Sequence, residues 1–142
     1  MGNAVEGLAG SVLWHLAERA DWEAAQASGR YDRSTRGASL AKVGFVHCSY
    51  PDQLAGVVAA GYADTAGDYV ILELDREELE SAGVSVRDEP ADPQDPGSPL
   101  FPHAYGPLPV GLVRAVREVR VEHGVLLDPG DGAGSAGHGP SR

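Results

Sequence analysis

Short stretches of alternating hydrophobicity and short stretches of helical spacing succeed each other along the chain. In SVLWHL (11–16) Val12, Trp14 and Leu16 fall on one side and Leu13 and His15 on the other, which predicts a half-buried strand. ADWEAAQASG (20–29) offers helix formers between Asp21, read as the N-cap, and Gly29, read as the C-cap. Residues 31–42 show no period and read as a loop carrying Arg33 and Arg36. GFVHCS (44–49) returns to alternation, Phe45 and His47 opposite Val46 and Cys48. Ser49 and Pro51 then open a helix with Asp52 in its first turn and a stripe of Leu54, Val57 and Val58.

YVILELD (69–75) is an apolar run of β-formers and predicts a central strand, with Asp75 and Glu78 spaced as a capping box for the helix through Leu79. GVSVR continues as a strand, and 88–99 is an acidic, proline-rich surface loop. FPHAYGPLP (101–109) follows. Its prolines fix their own φ and extend their predecessors, which predicts an ordered segment without ladder hydrogen bonds. Phe101 and Leu108 are expected to anchor that segment, with His103 and Tyr105 facing one way across from His15 and His47. GLVRAVREVRVEH reads as a last strand burying Val113, Ala115 and later valines, although its spacing is compatible with a helix too.

Composition narrows the class. The 142 residues suit one domain, assigned to 11–123, between a flexible 1–10 and a glycine-rich, disordered 124–142. No apolar run is long enough for a membrane span, and no basic start with an apolar middle marks a secretion signal, so a cytoplasmic location is expected. Cys48 is the only cysteine, excluding an intrachain disulfide and a cysteine-built zinc site and leaving packing as its role. A net charge of −10 repels phosphate backbones, so a small molecule is the expected partner rather than nucleic acid. Nothing in the sequence fixes an oligomeric state.

Histidine is the chemistry-bearing residue type. His123 and His138 read as exposed, whereas His15, His47 and His103 lie in ordered segments beside aromatic or hydroxyl residues. Taken singly, each is more often a hydrogen-bonded core residue than a catalyst, and together they raise the weight of a shared cleft. Their spacings match no local metal-ligand pair, so no metal is expected. Ser49 reads as a helix cap or a ligand contact, and Glu89 as a general base or one more acid of its loop. No Rossmann, Walker or nucleophile-elbow motif occurs.

LWHL (13–16), DWEAA, Ser39-Leu40, GFVHCS, LELD, the Glu89 position and FPHAYGPLP, in that order, resemble the DUF952 family over about residues 11–122. The resemblance implies an α+β domain similar to the ADP-ribosyltransferase-like fold, with two small sheets, two to three short helices and an NAD-binding cleft. It departs at Leu16, where a glycine is usual in that wider group, and in the acidic loop and tail. What it implies is an enzyme acting on NAD, ADP-ribose or a related ligand, as a transferase or NAD glycohydrolase. His15 would orient the ribose, His47 and Ser49 bind ribose or phosphate, Arg87 read phosphate and Glu89 act as the acid. His103 and Tyr105 would close the cleft, with Trp14, Ser39 and Phe101 contacting the ligand. A binding module without turnover, and an enzyme doing acid–base chemistry on a metabolite unrelated to NAD, are the alternatives.

Overall fold

The computed structural model describes residues 11–34 and 38–128. The elements run β1 (Val12–Glu18), α1 (Arg19–Ser28), β2 (Arg30–Tyr31), α2 (Leu40–Val43), β3 (Val46–His47), a 3-10 turn (Pro51–Gln53) and α3 (Leu54–Gly61). They continue with β4 (Ala66–Asp75), α4 (Arg76–Ser81), β5 (Ser85–Pro90), β6 (Leu100–Tyr105), β7 (Leu108–Pro109), a 3-10 turn (Val110–Leu112), β8 (Ala115–Glu122) and β9 (Val125–Leu127). Strands of mixed length thus alternate with short helices, and the sheets are antiparallel: β1-β4-β8-β9, β3-β6-β5 and the pair β2-β7.

β4 is the apolar spine because both faces of its sheet are covered. One face carries Leu13 and Ala17 of β1 with Val70, Leu72 and Leu74 of β4, packed on α1, α4 and the inner side of the three-stranded sheet. The other carries Leu16, Tyr69, Ile71, Val119 and Val121 against Leu54, Val58 and Tyr62 of α3. Each fully buried leucine here contributes about 1.5–3 kcal/mol. The two larger sheets meet at a reciprocal bridge, Trp14 N–H to Ser49 C=O and Ser49 N–H to Trp14 C=O, both 2.8 Å.

Several local expectations change. Among the described residues, three sheets and four α-helices replace two sheets and two to three helices. α1 starts three residues earlier than the Asp21 cap implied, with Glu18 as N-cap and Asp21 in the first turn, while Gly29 closes it at φ 89° as expected. The 31–42 loop holds β2 and α2; Ser39 caps α2 by accepting the Lys42 N–H. Ser49 caps nothing, since Tyr50 precedes the 3-10 turn and Gln53 precedes α3. Asp75 does cap α4 through the Glu78 N–H.

β4 starts at Ala66, three residues before the expected strand, and β5 takes Asp88–Pro90 from the expected loop. The last strand buries Val119 and Val121 while Ala115 is exposed, because α3 covers only that end of the sheet. His123 is exposed, at φ 49°, and with Gly124 turns the chain back, so β9 forms where a disordered tail was expected. The expectations for 1–10, Arg36 and His138 lie outside the described residues.

Candidate functional site

β6, the heart of FPHAYGPLP, is the middle strand of its sheet rather than a segment free of ladder bonds. Alternation gives that sheet two unlike faces. Val46, Cys48, Ala104 and Val86 point into the core, and Phe45, His47, Phe101, His103, Tyr105, Arg87 and Glu89 take the opposite side. Cys48 N–H donates to Pro102 C=O at 2.9 Å, so the neighbouring His47–His103 pair is a non-hydrogen-bonded one, whose side chains stand closest. Pro102 fits a central strand because its missing N–H faces Cys48, where β3 has ended.

A continuous hydrogen-bond chain follows from that register. His47 Nδ1 lies 3.2 Å from His103 Nε2, and His103 Nδ1 lies 2.8 Å from Glu89 Oε1. Tyr105 Oη–H donates to the same carboxylate oxygen at 2.6 Å. These two donors hold Glu89 below the usual carboxylate range, the tyrosine bond leading, so it accepts. Burial, with His103 and His15 adding to it, pushes His47 down to about 4. In the neutral chain His47 Nδ1–H therefore donates to His103 Nε2 and His103 Nδ1–H to Glu89, which leaves the His47 Nε2 lone pair without a partner among the described residues. Phe45 stacks on His103 at 4.0 Å and Phe101 lies 5.1 Å from the His47 ring, so both imidazoles are wedged in place.

The main chain of His47 is held from behind. Its N–H donates to Ser34 Oγ at 3.1 Å, and its C=O accepts from His15 Nδ1–H at 2.7 Å. A carbonyl only accepts, so the His15 proton sits on Nδ1, and Nε2 accepts from Tyr31 Oη–H at 3.0 Å. Burial pushes His15 down to about 4 and pushes the Tyr31 phenol up, in keeping with both being neutral.

His47 lines a cleft of about 650 Å³ together with Asp52, Gly56, Val57, Ala60 and Phe101. Of the expected site residues, His47, His103, Glu89 and Tyr105 come together on one sheet face, with Phe101 beside them. The Arg87 guanidinium stands 5.0 Å over the Tyr105 ring on the same face. His15 is a neighbour of His47 but faces the core at 2% exposure, where both its nitrogens are engaged by the His47 carbonyl and the Tyr31 hydroxyl. His103 adjoins His47 on the next strand instead of facing it across the cleft. Ser49 is 1% exposed, and Ser39 is occupied in capping. Trp14 points to the other face of β1, where its indole donates to Glu73.

Ser34, Tyr31 and Phe45 are the additions. Phe45 was in phase with His47 in the sequence, whereas the Ser34 and Tyr31 contacts span chain distances that no local pattern encodes. Among the described residues no group of three or more His, Cys, Asp or Glu is arranged to hold a metal ion, and no helix is long and apolar enough to cross a membrane.

The profile of a protein family of unknown function, DUF952, matches residues 16–116, a span that contains GFVHCS, Glu89 and FPHAYGPLP. The chain belongs to the DUF952 family. Protein CC0527 of Caulobacter crescentus is similar in structure: its crystal structure superposes with a TM-score of 0.65 at 28% identity, over 82% of this chain and 93% of that one. Its solution structure gives 0.62 at 26% identity, over 85% and 95%. No curated protein matches the chain. The matched span 16–116 takes in His47, Glu89, His103 and Tyr105, so the histidine face sits within the family's domain.

Proposed function

We propose that this DUF952 protein is an enzyme acting on a small molecule held in the cleft beside His47, with His47 as its acid–base group. The observation that carries the reading is the Glu89–His103–His47 chain, which ends at a nitrogen free to exchange a proton. As Nε2 takes a proton from a ligand hydroxyl, the Nδ1 proton passes toward His103 Nε2, and the Glu89 carboxylate stabilises the cation so formed through His103 Nδ1–H. The proton returns by the reverse path to the leaving atom. The carboxylate thus supplies the driving force that a histidine depressed to about 4 lacks alone.

For the ligand, the resemblance to ADP-ribosyltransferase-like domains supports NAD, ADP-ribose or a related ribosyl compound. Phe101, Val57 and Ala60 would take a ring, His47 a ribose hydroxyl, and Arg87 is a cation on the same sheet face. Asp52, the one charged side chain lining the cleft among the described residues, supports a second reading, acid–base chemistry on an uncharged metabolite unrelated to NAD. Calorimetric titration with NAD and ADP-ribose separates the two. Heat of binding that His47→Gln abolishes supports the first, and no heat at about millimolar ligand leaves the second.

A further inference from the structure

α3 covers only one half of its sheet face. Beyond Leu16 and Ile71 the same face continues as Val12 and Trp14 of β1 and Glu73 of β4, and there it forms the floor of an open groove of about 790 Å³. Tyr50, Asp52 and Leu100 form its rim, and Asp52 and Gln53 of the 51–53 turn line both this groove and the His47 cleft. Two aromatic rings, two carboxylates and two aliphatic side chains therefore converge on one hollow.

The charges in this hollow are unspent. Glu73 accepts from Trp14 Nε1–H at 3.2 Å through Oε1, which fixes the indole and leaves Oε2 without a partner among the described residues. Asp52 makes no side-chain hydrogen bond or ion pair among them either, whereas Asp68, Asp75 and Asp88 are each paired with an arginine. The indole already attracts a cation on its other flank. The Arg117 guanidinium stands 5.7 Å from the Trp14 ring and lines a small neighbouring hollow with Trp14, Glu73, Ile71 and Ala115, not the groove itself.

We infer that this groove is a second ligand site, specific for a small organic cation: an ammonium or guanidinium group set against Trp14, Glu73 and Asp52, with an apolar body along Val12 and Leu100. Aromatic faces and carboxylates together favour such a group over a hydrated metal ion, which gains nothing from the aliphatic walls. Charge complementarity points the same way, since the whole chain carries −10. The site shares Asp52 with the His47 cleft, whereas Trp14 and Glu73 line this groove and not that cleft.

Benzylamine, benzyl alcohol and benzoate share a shape and differ in charge, so they are the probes. Each is titrated into the full chain while the Trp14 Nε1–H resonance is followed; Trp22, 8% exposed, serves as the internal reference. Benzylamine is expected to shift Trp14 alone, with benzyl alcohol about tenfold weaker and benzoate inactive. Glu73→Gln keeps an acceptor for the indole and is expected to weaken benzylamine about fivefold. Arg117→Gln removes a competing cation and is expected to tighten it, a gain that a structural role for Arg117 does not produce. Equal binding of the three probes, no Trp14 shift at about 10 mM benzylamine with a native spectrum, or weaker binding in Arg117→Gln would each overturn the inference. Capture of a basic peptide without benzylamine binding would overturn it as well.

Discussion

His15 holds His47 by its backbone: the imidazole Nδ1–H of one donates to the carbonyl of the other at 2.7 Å, at the seam where β1 and β3 part company. Because His47 stands at a non-hydrogen-bonded position of its ladder, its N–H and C=O both face away from β6 and need partners elsewhere. Ser34 and His15 supply them.

Replacing His15 by Ala strands two buried polar groups, the His47 carbonyl and the Tyr31 hydroxyl, and leaves a void. The expected loss is about 3–5 kcal/mol in urea unfolding. Ser34→Ala removes a smaller group and one acceptor, for an expected loss of about 1–2 kcal/mol. Glu89→Gln, whose side chain is 31% exposed, should stay within about 1 kcal/mol. A His15→Ala protein as stable as the wild type would mean that the seam is held by something other than this bond.

Acid should unfold the protein from an early pH. His15 and His47 titrate near 6.5 when unfolded and are depressed to about 4 in the fold. Between those values the unfolded chain binds more protons, so the histidines' share of stability is full above about pH 6.5, falls as pH drops and levels off below about 4, where protonation of Glu89 adds a further loss. The slope is about 1.4 kcal/mol per pH unit for each histidine. Urea midpoints measured across that window check it, and His15→Gln should remove one histidine's share of the slope.

The tautomers are a separate test of the relay. Ring nitrogen spectra at neutral pH should show His15, His47 and His103 each protonated on Nδ1, since each Nδ1 faces an acceptor. Glu89→Leu removes the acceptor that fixes His103, and the His103 and His47 tautomers should then become mixed while His15 is unmoved. A His47 proton found on Nε2 in the wild type would mean that the chain runs in the opposite sense.

Much of this arrangement was legible in the sequence where it depends on local alternation. Leu13 and His15, Val46 and Cys48, and the shared side of His103 and Tyr105 all fell on the faces that period two assigns. What was not legible depends on pairing between distant strands. No pattern within GFVHCS tells it to lie beside FPHAYGPLP, so His47 and His103 were placed across a cleft instead of shoulder to shoulder. Likewise α2 and β9 are too short to show a period, and Ser34 acts through a single bond across the fold.

The proline of β6 gives the last prediction, because strand register decides which of its residues needs an N–H. Pro102 and Cys48 form a hydrogen-bonded pair in which only the Cys48 donor is used. Pro102→Ala supplies the missing donor opposite the Cys48 carbonyl but frees the unfolded chain by about 0.4–1 kcal/mol, so stability should change by less than about 1 kcal/mol. Ala104, two residues on, is fully buried and pairs with Val46 at the next hydrogen-bonded position, where its N–H faces β3. Ala104→Pro removes that bond and overpacks the core, and it should cost about 3 kcal/mol or more. Thermal unfolding of the two variants measures the difference, and equal losses would mean that the register drawn for β3 and β6, and with it the approach of His47 to His103, is shifted by one residue.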